Sequence, residues 1–154
     1  GAILIGHLVG EKRIKTAYIL GCYTRHTAIK TAATFSVVLA LFGGKILSWL
    51  TDNPNIVGLG IIIMWVQVAL EIGRAINIWA TQALRATGDV NFQFYVGITV
   101  QWLVSVVLSY LLGIHWGLGL IAMWASFALD ENIRGLIFIF RWKSMKWATK
   151  SFVK

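Results

Sequence analysis

The chain has 154 residues, of which 58% are hydrophobic and 13% are charged, and its formal net charge is +8. Soluble domains carry about 25% charged residues, so this composition argues against a water-soluble fold. The basic residues flank apolar runs of membrane-spanning length instead of lining one polar face, so the charge does not indicate nucleic-acid binding. A single cysteine, Cys22, excludes an internal disulfide framework.

The opening residues 1–9 are apolar but too short to cross a bilayer, and no initiator Met precedes them. We expect them to be the end of a helix that began earlier, so that the chain is the C-terminal part of a longer protein.

Four longer apolar stretches follow in succession and predict an all-α, polytopic transmembrane helix bundle with about four complete spans. A turn cluster at residues 51–55 ends the first stretch, and Gly88-Asp89 ends the second. A glycine-rich hairpin at residues 113–119 separates the third from the fourth. The predicted spans are residues 28–49, 56–83, 92–112 and 120–140, and a basic tail at 141–154 follows them.

Basic residues are unequally distributed between the two ends of these spans. Eleven of them lie on one side, whereas only Lys45 lies on the other. The positive-inside rule therefore places both ends of the chain in the cytoplasm, as an even number of spans requires. The eleven residues are Lys12, Arg13, Lys15, Arg25, Lys30, Arg85, Arg141, Lys143, Lys146, Lys150 and Lys154.

Tryptophans divide into two predicted groups. An aromatic belt at the membrane interfaces is predicted for Trp49, Trp116, Trp142 and Trp147. Deeper positions are predicted for Trp65, Trp79, Trp102 and Trp124. The deeper group fits packing or lipid contact, and the alternative is that one or two of its members line a site for aromatic or cationic substrates.

Ionisable residues inside the second and fourth spans are the candidates for function. A charged side chain near the bilayer centre costs about 2.5–3.5 kcal/mol and usually faces the bundle interior or water. Glu71 and Arg74 are three residues apart and share a helix face, and Glu131 and Arg134 repeat that spacing. The candidate site residues are Glu71, Arg74, Asn77, Asp130, Glu131 and Arg134.

Two interpretations of these charges remain open. They form an ion-pair network that locks the second span to the fourth, or one of the carboxylates binds a proton or a cation during transport. The dispersed histidines predict no metal site, and no phosphate-binding loop, nucleophile elbow or His-Glu-x-x-His is present in the sequence. We therefore expect no enzymatic activity and no cofactor, apart from a coupling ion.

The stretch Arg74-Ala-Ile-Asn-Ile-Trp-Ala-Thr-Gln-Ala-Leu-Arg-Ala-Thr-Gly-Asp89 resembles the multidrug and toxic compound extrusion (MATE) family. The resemblance continues through residues 105–114, 117–125 and the tail at 141–147, and upstream through residues 4–11 and 42–52. It implies that the chain is helices nine to twelve, with the end of helix eight, of a twelve-helix transporter built as two lobes.

The same resemblance implies a function and a location. Family members are secondary antiporters of the plasma membrane that export organic cations or drugs in exchange for Na⁺ or H⁺. The expected partners are the lipid bilayer, the remaining helices of the full-length transporter and a small cationic or amphipathic substrate. Two alternatives are a lipid-linked precursor flippase of the same superfamily and a non-transporting membrane scaffold subunit.

Overall fold

The computed structural model describes residues 1–150, so the end of the predicted basic tail, with Lys154, lies outside the described residues. Helices make up nearly all of the described part, and no strand occurs in it, which confirms the all-α prediction. The elements are α1 (Ala2–Gly10), α2 (Ile14–Leu50), α3 (Pro54–Ala86), α4 (Val90–His115), α5 (Gly119–Lys143) and a short 3₁₀ helix (Lys146–Lys150).

Three helices among the described residues, α2, α3 and α4, are long and apolar enough to cross a membrane. This number is one fewer than the four complete spans predicted. The helix that corresponds to the fourth span, α5, has 25 residues and is long enough, but Asp130, Glu131 and Arg134 lower its apolar character. Its charged residues separate it from the other three by composition, not by length.

The first long helix differs most from its prediction. It begins at Ile14 rather than near residue 28, because the basic segment before the apolar run continues the helix without a break. Its 37 residues reach roughly 55 Å at 1.5 Å per residue, well beyond a hydrocarbon core about 30 Å thick. The part from residue 14 to about residue 27 is therefore an extension of the spanning helix.

The ends of α3 follow from its sequence. Asn53 is the N-cap and accepts a hydrogen bond from the backbone N–H of Asn55 at 3.0 Å, and Pro54 occupies the first helical position. At the other end, Gly88 adopts a left-handed φ of 86°. The backbone N–H of Asp89 donates to Leu84 O at 2.9 Å, as in a Schellman motif. This motif sets where the turn into α4 begins.

The last two helices are joined by a shorter turn than the predicted hairpin. A π-helical segment, Leu111–His115, carries α4 two residues into the predicted glycine-rich region. The turn then uses left-handed φ values of 70° at Gly117 and 72° at Gly119, which glycine adopts without a steric penalty. A second π-helical segment, Gln101–Leu108, lies in the middle of α4.

The main buried core lies where α1, the start of α2 and the ends of α3 and α5 meet. Its centre is an aromatic group that we call the tryptophan cluster: Tyr18, Trp79, Trp142 and Trp147. The rings of Trp142 and Trp147 stack with centroids 4.4 Å apart, and the indole N–H of Trp147 donates to Trp142 O at 2.9 Å. Both side chains are fully buried.

This burial corrects the aromatic-belt prediction for two of its four members. Trp142 and Trp147 pack inside the chain, because the turn after α5 folds Trp147 back onto the helix. Gly21 lies against the Trp142 ring, where a Cβ atom would collide. The other two members, Trp49 and Trp116, are exposed on the surface of the chain, as a membrane interface requires.

Candidate functional site

The candidate site lies where α3 and α5 approach most closely. A Cβ atom on Gly73 would stand 2.8 Å from the backbone nitrogen of Asn132, so only glycine allows this contact. Gly135 of α5 packs against Ile76 of α3 in the same region. These two small residues bring the charged segments of the two helices side by side.

A first polar group is centred on Glu71 of α3. Glu71 Oε1 accepts hydrogen bonds from Gln67 Nε2 at 2.5 Å and from Arg74 Nη1 at 2.9 Å. Gln67 Oε1 in turn accepts a bond from the indole N–H of Trp124 on α5 at 2.8 Å. A chain of hydrogen bonds therefore runs from α5 to the carboxylate, and neither bond to Glu71 uses its Oε2 atom.

Glu71 also lies at the polar end of an apolar cavity between α2 and α3. The cavity has a volume of about 380 Å³. Gln67 and Glu71 supply its hydrogen-bonding groups, together with Ser36 of α2. The lining residues are Ala32, Phe35, Ser36, Leu39, Ala40, Ile46, Met64, Gln67 and Glu71. A pocket with mostly apolar walls and a few convergent polar groups is typical of small-molecule sites.

A second polar group lies on α5. Arg134 Nη2 is 2.5 Å from Asp130 Oδ2 and 3.2 Å from Glu131 Oε1, so one guanidinium contacts two carboxylates. Asn77 of α3 donates from Nδ2 to the Glu131 carbonyl oxygen at 2.8 Å and to Glu131 Oε2 at 2.5 Å. Asp130 is 2% exposed, and its Oδ1 atom has no hydrogen-bond partner among the described residues.

A second cavity, of about 310 Å³, adjoins this group between α3, α4 and α5. It shares no lining residue with the first cavity. Its lining residues are Leu70, Arg74, Gln101, Ser105, Val106, Trp124, Phe127, Asp130, Glu131 and Arg134. The structure thus holds two separate cavities, each with a carboxylate of the predicted set in its wall.

The structure brings five of the six predicted site residues into ion pairs, each within one helix, and Asn77 alone bridges two helices. In the part of the chain that the structure describes, no ion pair joins α3 to α5. The interpretation of an ion-pair network between the second and fourth spans is therefore wrong. Amide side chains make the connection, because Asn132 Nδ2 also donates across the interface, to Ala69 O at 3.0 Å.

Comparisons with known proteins identify the family. The family model described as MatE matches residues 1–111, which is well over half of the chain. The chain belongs to the MatE family. The resemblance stated from the sequence is thereby confirmed, and this MatE chain is a multi-pass membrane protein.

Three relatives of this MatE chain have printed names. The uncharacterized transporter YisQ of Bacillus subtilis (strain 168) is 34% identical over 148 residues, covering 96% of this chain and 32% of YisQ. The multidrug resistance protein NorM of Aliivibrio fischeri (strain ATCC 700601 / ES114) is 24% identical over 82% of this chain and 28% of its own length. NorM of Vibrio cholerae serotype O1 (strain ATCC 39315 / El Tor Inaba N16961) is 25% identical over 88% and 31%.

The MatE chain therefore spans about a third of the length of the relatives that it matches. No solved structure matches it significantly.

Sequence reasoning missed one buried ion pair of this MatE chain. Arg141, near the end of α5, donates from Nε to Asp89 Oδ2 at 2.7 Å and from Nη2 to Asp89 Oδ1 at 3.2 Å. Its guanidinium also lies over the Phe92 ring, 4.4 Å from the centroid. Asp89 is fully buried. The Gly-Asp ending of α3 was the available signal, since glycine forms the cap and the aspartate binds Arg141.

Proposed function

We propose that this chain forms helices nine to twelve, and the end of helix eight, of a secondary active antiporter. The full-length protein exports organic cations or drugs in exchange for Na⁺ or H⁺, and Glu71 is the coupling carboxylate in this part of it. Family membership and the relatives named for multidrug resistance support this proposal.

The observation that carries the proposal is the position of Glu71 at one end of the apolar cavity between α2 and α3. An amphipathic cation needs apolar walls for its body and an anionic group for its charge. Phe35, Leu39 and Met64 supply the walls, and Glu71 supplies the negative charge. A coupling ion and a cationic substrate compete for that one carboxylate, and such competition exchanges one for the other.

Arg74 sets the strength of this site. Its Nη1 atom lies 2.9 Å from Glu71 Oε1, yet the pair is partly exposed, with 45% of the Arg74 side chain accessible. A partly solvated ion pair contributes little free energy. Arg74 can therefore be displaced by an incoming cation more easily than a buried partner could be.

The test uses the full-length transporter in proteoliposomes with an imposed Na⁺ or H⁺ gradient. Glu71→Gln keeps the size and hydrogen-bonding groups of the side chain but removes the charge that the ion binds. We expect gradient-driven substrate transport to fall by about tenfold or more. The matched control is Asp52→Asn, which removes a carboxylate from the exposed turn between α2 and α3 and leaves transport unchanged.

The outcomes also separate an antiporter from a scaffold. A scaffold subunit with structural ion pairs predicts that Glu71→Gln changes only the amount of folded protein in the membrane. The antiporter predicts normal amounts of protein with lost transport. Wild-type export with an unchanged ion dependence would remove Glu71 from the mechanism.

Location and orientation belong to the same proposal. The full-length protein resides in the plasma membrane, with both ends of this chain in the cytoplasm and the α2–α3 turn outside. The unequal distribution of lysines and arginines supports this orientation, because basic residues are retained on the cytoplasmic side.

A further inference from the structure

The second cavity, between α3, α4 and α5, holds a buried carboxylate that the proposed function does not use. On the α4 side its wall is formed by the π-helical segment Gln101–Leu108, which contributes Gln101, Ser105 and Val106. Such π-helical segments often occur at functional sites, because the wider turn redirects side chains. The redirected side chain here is that of Ser105, which is buried.

Asp130 faces this wall from α5. Its Oδ2 atom is bound by Arg134 at 2.5 Å, and its Oδ1 atom has no hydrogen-bond partner among the described residues. The Ser105 hydroxyl lies close enough to interact with the Asp130 carboxyl group. A carboxylate oxygen that is almost completely buried and unpartnered is costly, since it has lost water and gained no donor.

The charges around the cavity do not balance. On α5 itself, Glu131 and Arg134 are the charged neighbours of Asp130. From α3, Arg74 faces the cavity and is paired with Glu71. From α4, Gln101 and Ser105 are uncharged.

The group therefore contains three carboxylates and two guanidiniums. One negative charge is left over, and in a buried site it requires a positive partner.

We propose that Asp130 Oδ1 binds one positive charge, delivered as H⁺ or as Na⁺, at a site distinct from the one at Glu71. As a protonated group, the Asp130 carboxyl donates a hydrogen bond to Ser105 Oγ. With Na⁺, Asp130 Oδ1, Ser105 Oγ and Gln101 Oε1 supply the oxygen atoms. Either ion neutralises the excess charge and joins α4 to α5 across the cavity.

Two readouts on the purified full-length transporter test the site. Infrared difference spectroscopy at neutral pH detects the C=O stretching band of a protonated carboxyl group, and radioactive Na⁺ counts bound sodium ions. If H⁺ occupies the site, Asp130→Asn removes a carboxyl band. If Na⁺ occupies it, Asp130→Asn lowers the number of bound Na⁺ ions by one per protein. An unchanged band together with unchanged Na⁺ binding overturns the proposal.

A second variant guards against misfolding of Asp130→Asn. Ser105→Ala keeps every charge and removes only the hydroxyl. We expect it to shift the carboxyl band to higher frequency, or to weaken Na⁺ binding by about fivefold, the equivalent of one hydrogen bond. If Ser105→Ala changes neither the band nor the Na⁺ affinity, the site is not at Asp130.

Glu71→Gln is the matched comparison. It leaves the Asp130 signals in place, because Glu71 lines the other cavity. The inference rests on the proposed antiport for its role in the cell, but both readouts measure binding without transport. A failure of Glu71→Gln to alter transport would therefore refute the proposed coupling residue while the Asp130 result stood on its own.

Discussion

Amide side chains connect the two charged helices at the candidate site. Asn77 binds both the backbone and the side chain of Glu131, and Asn132 binds the backbone of Ala69. In a membrane, an amide that loses such a partner finds no water to replace it. Asn77 thus holds Glu131 in place while Arg134 contacts it from the other side.

Asn77→Ala removes both hydrogen bonds to Glu131, so we expect it to destabilise the full-length protein by about 1–2 kcal/mol. The loss is measured as the change in the free energy of unfolding in detergent or lipid. Asn55→Ala is the control, because the Asn55 side chain lies exposed in the first turn of α3. Equal effects of the two variants would show that the Asn77 bonds contribute nothing to stability.

Local spacing explains which residue pairs could be predicted. Glu71 and Arg74 are three residues apart in one helix, and that separation alone places them on the same face. Asn77 and Glu131 are 54 residues apart, so no periodicity reveals their contact. The same holds for Asp89 and Arg141, which are 52 residues apart. Pairs within a helix are readable from sequence, whereas pairs between helices depend on packing.

At the scale of elements, the crossing of α3 and α5 depends on one glycine. A Cβ at residue 73 would meet backbone atoms of Asn132 and Glu131, which cannot move aside as a flexible side chain can. The amide bonds across the interface depend on this close approach, because Asn77 and Asn132 are short side chains. Gly73 therefore positions both polar groups of the candidate site.

Gly73→Ala is expected to push α3 and α5 apart and to destabilise the protein by about 1–3 kcal/mol. Gly97→Ala is its matched control in α4, where an added Cβ meets nothing within 4 Å. Since alanine favours helices over glycine, the control should be neutral or stabilising by up to about 1 kcal/mol. Thermal unfolding of the full-length protein measures both, and a Gly73→Ala protein as stable as the control contradicts the expected clash.

Helix type was predictable from composition, but helix limits were not. Apolar runs of about 20 residues indicate spanning helices, yet they say nothing about where a helix stops outside the apolar region. The segment before α2's apolar run contains lysine, arginine and alanine, which favour helices as strongly as they mark a membrane boundary. The π-helical segments of α4 were not foreseen, because no composition signal distinguishes them from α-helix.

At the scale of the whole molecule, most of the long apolar surface is left open by the chain itself. Only 17%, 11% and 11% of the most apolar stretches of α2, α3 and α4 are buried inside the described residues. Lipid or further helices must cover the remainder. The match over about a third of each relative's length agrees with helices outside this chain taking part of that role.

Orientation is testable by cysteine labelling in the full-length protein. Cys22 is first replaced by serine, and Asn53→Cys and Ser144→Cys are then made singly at exposed positions on opposite ends of the bundle. We expect a membrane-impermeant maleimide to label residue 53 in intact cells and residue 144 only in inverted vesicles. Labelling of residue 144 in intact cells would reverse the proposed orientation.

The attachment of α4 at both of its ends has a mechanical consequence. Asp89, held by Arg141, fixes the residue before its first turn, and Gly113 packs against Met123 near its last turn. Between these anchors, the helix passes the Asp130 cavity along its π-helical middle. A rod clamped at both ends answers a push at its centre by bowing, so charge neutralisation at Asp130 acts on the curvature of α4 while its ends stay in place.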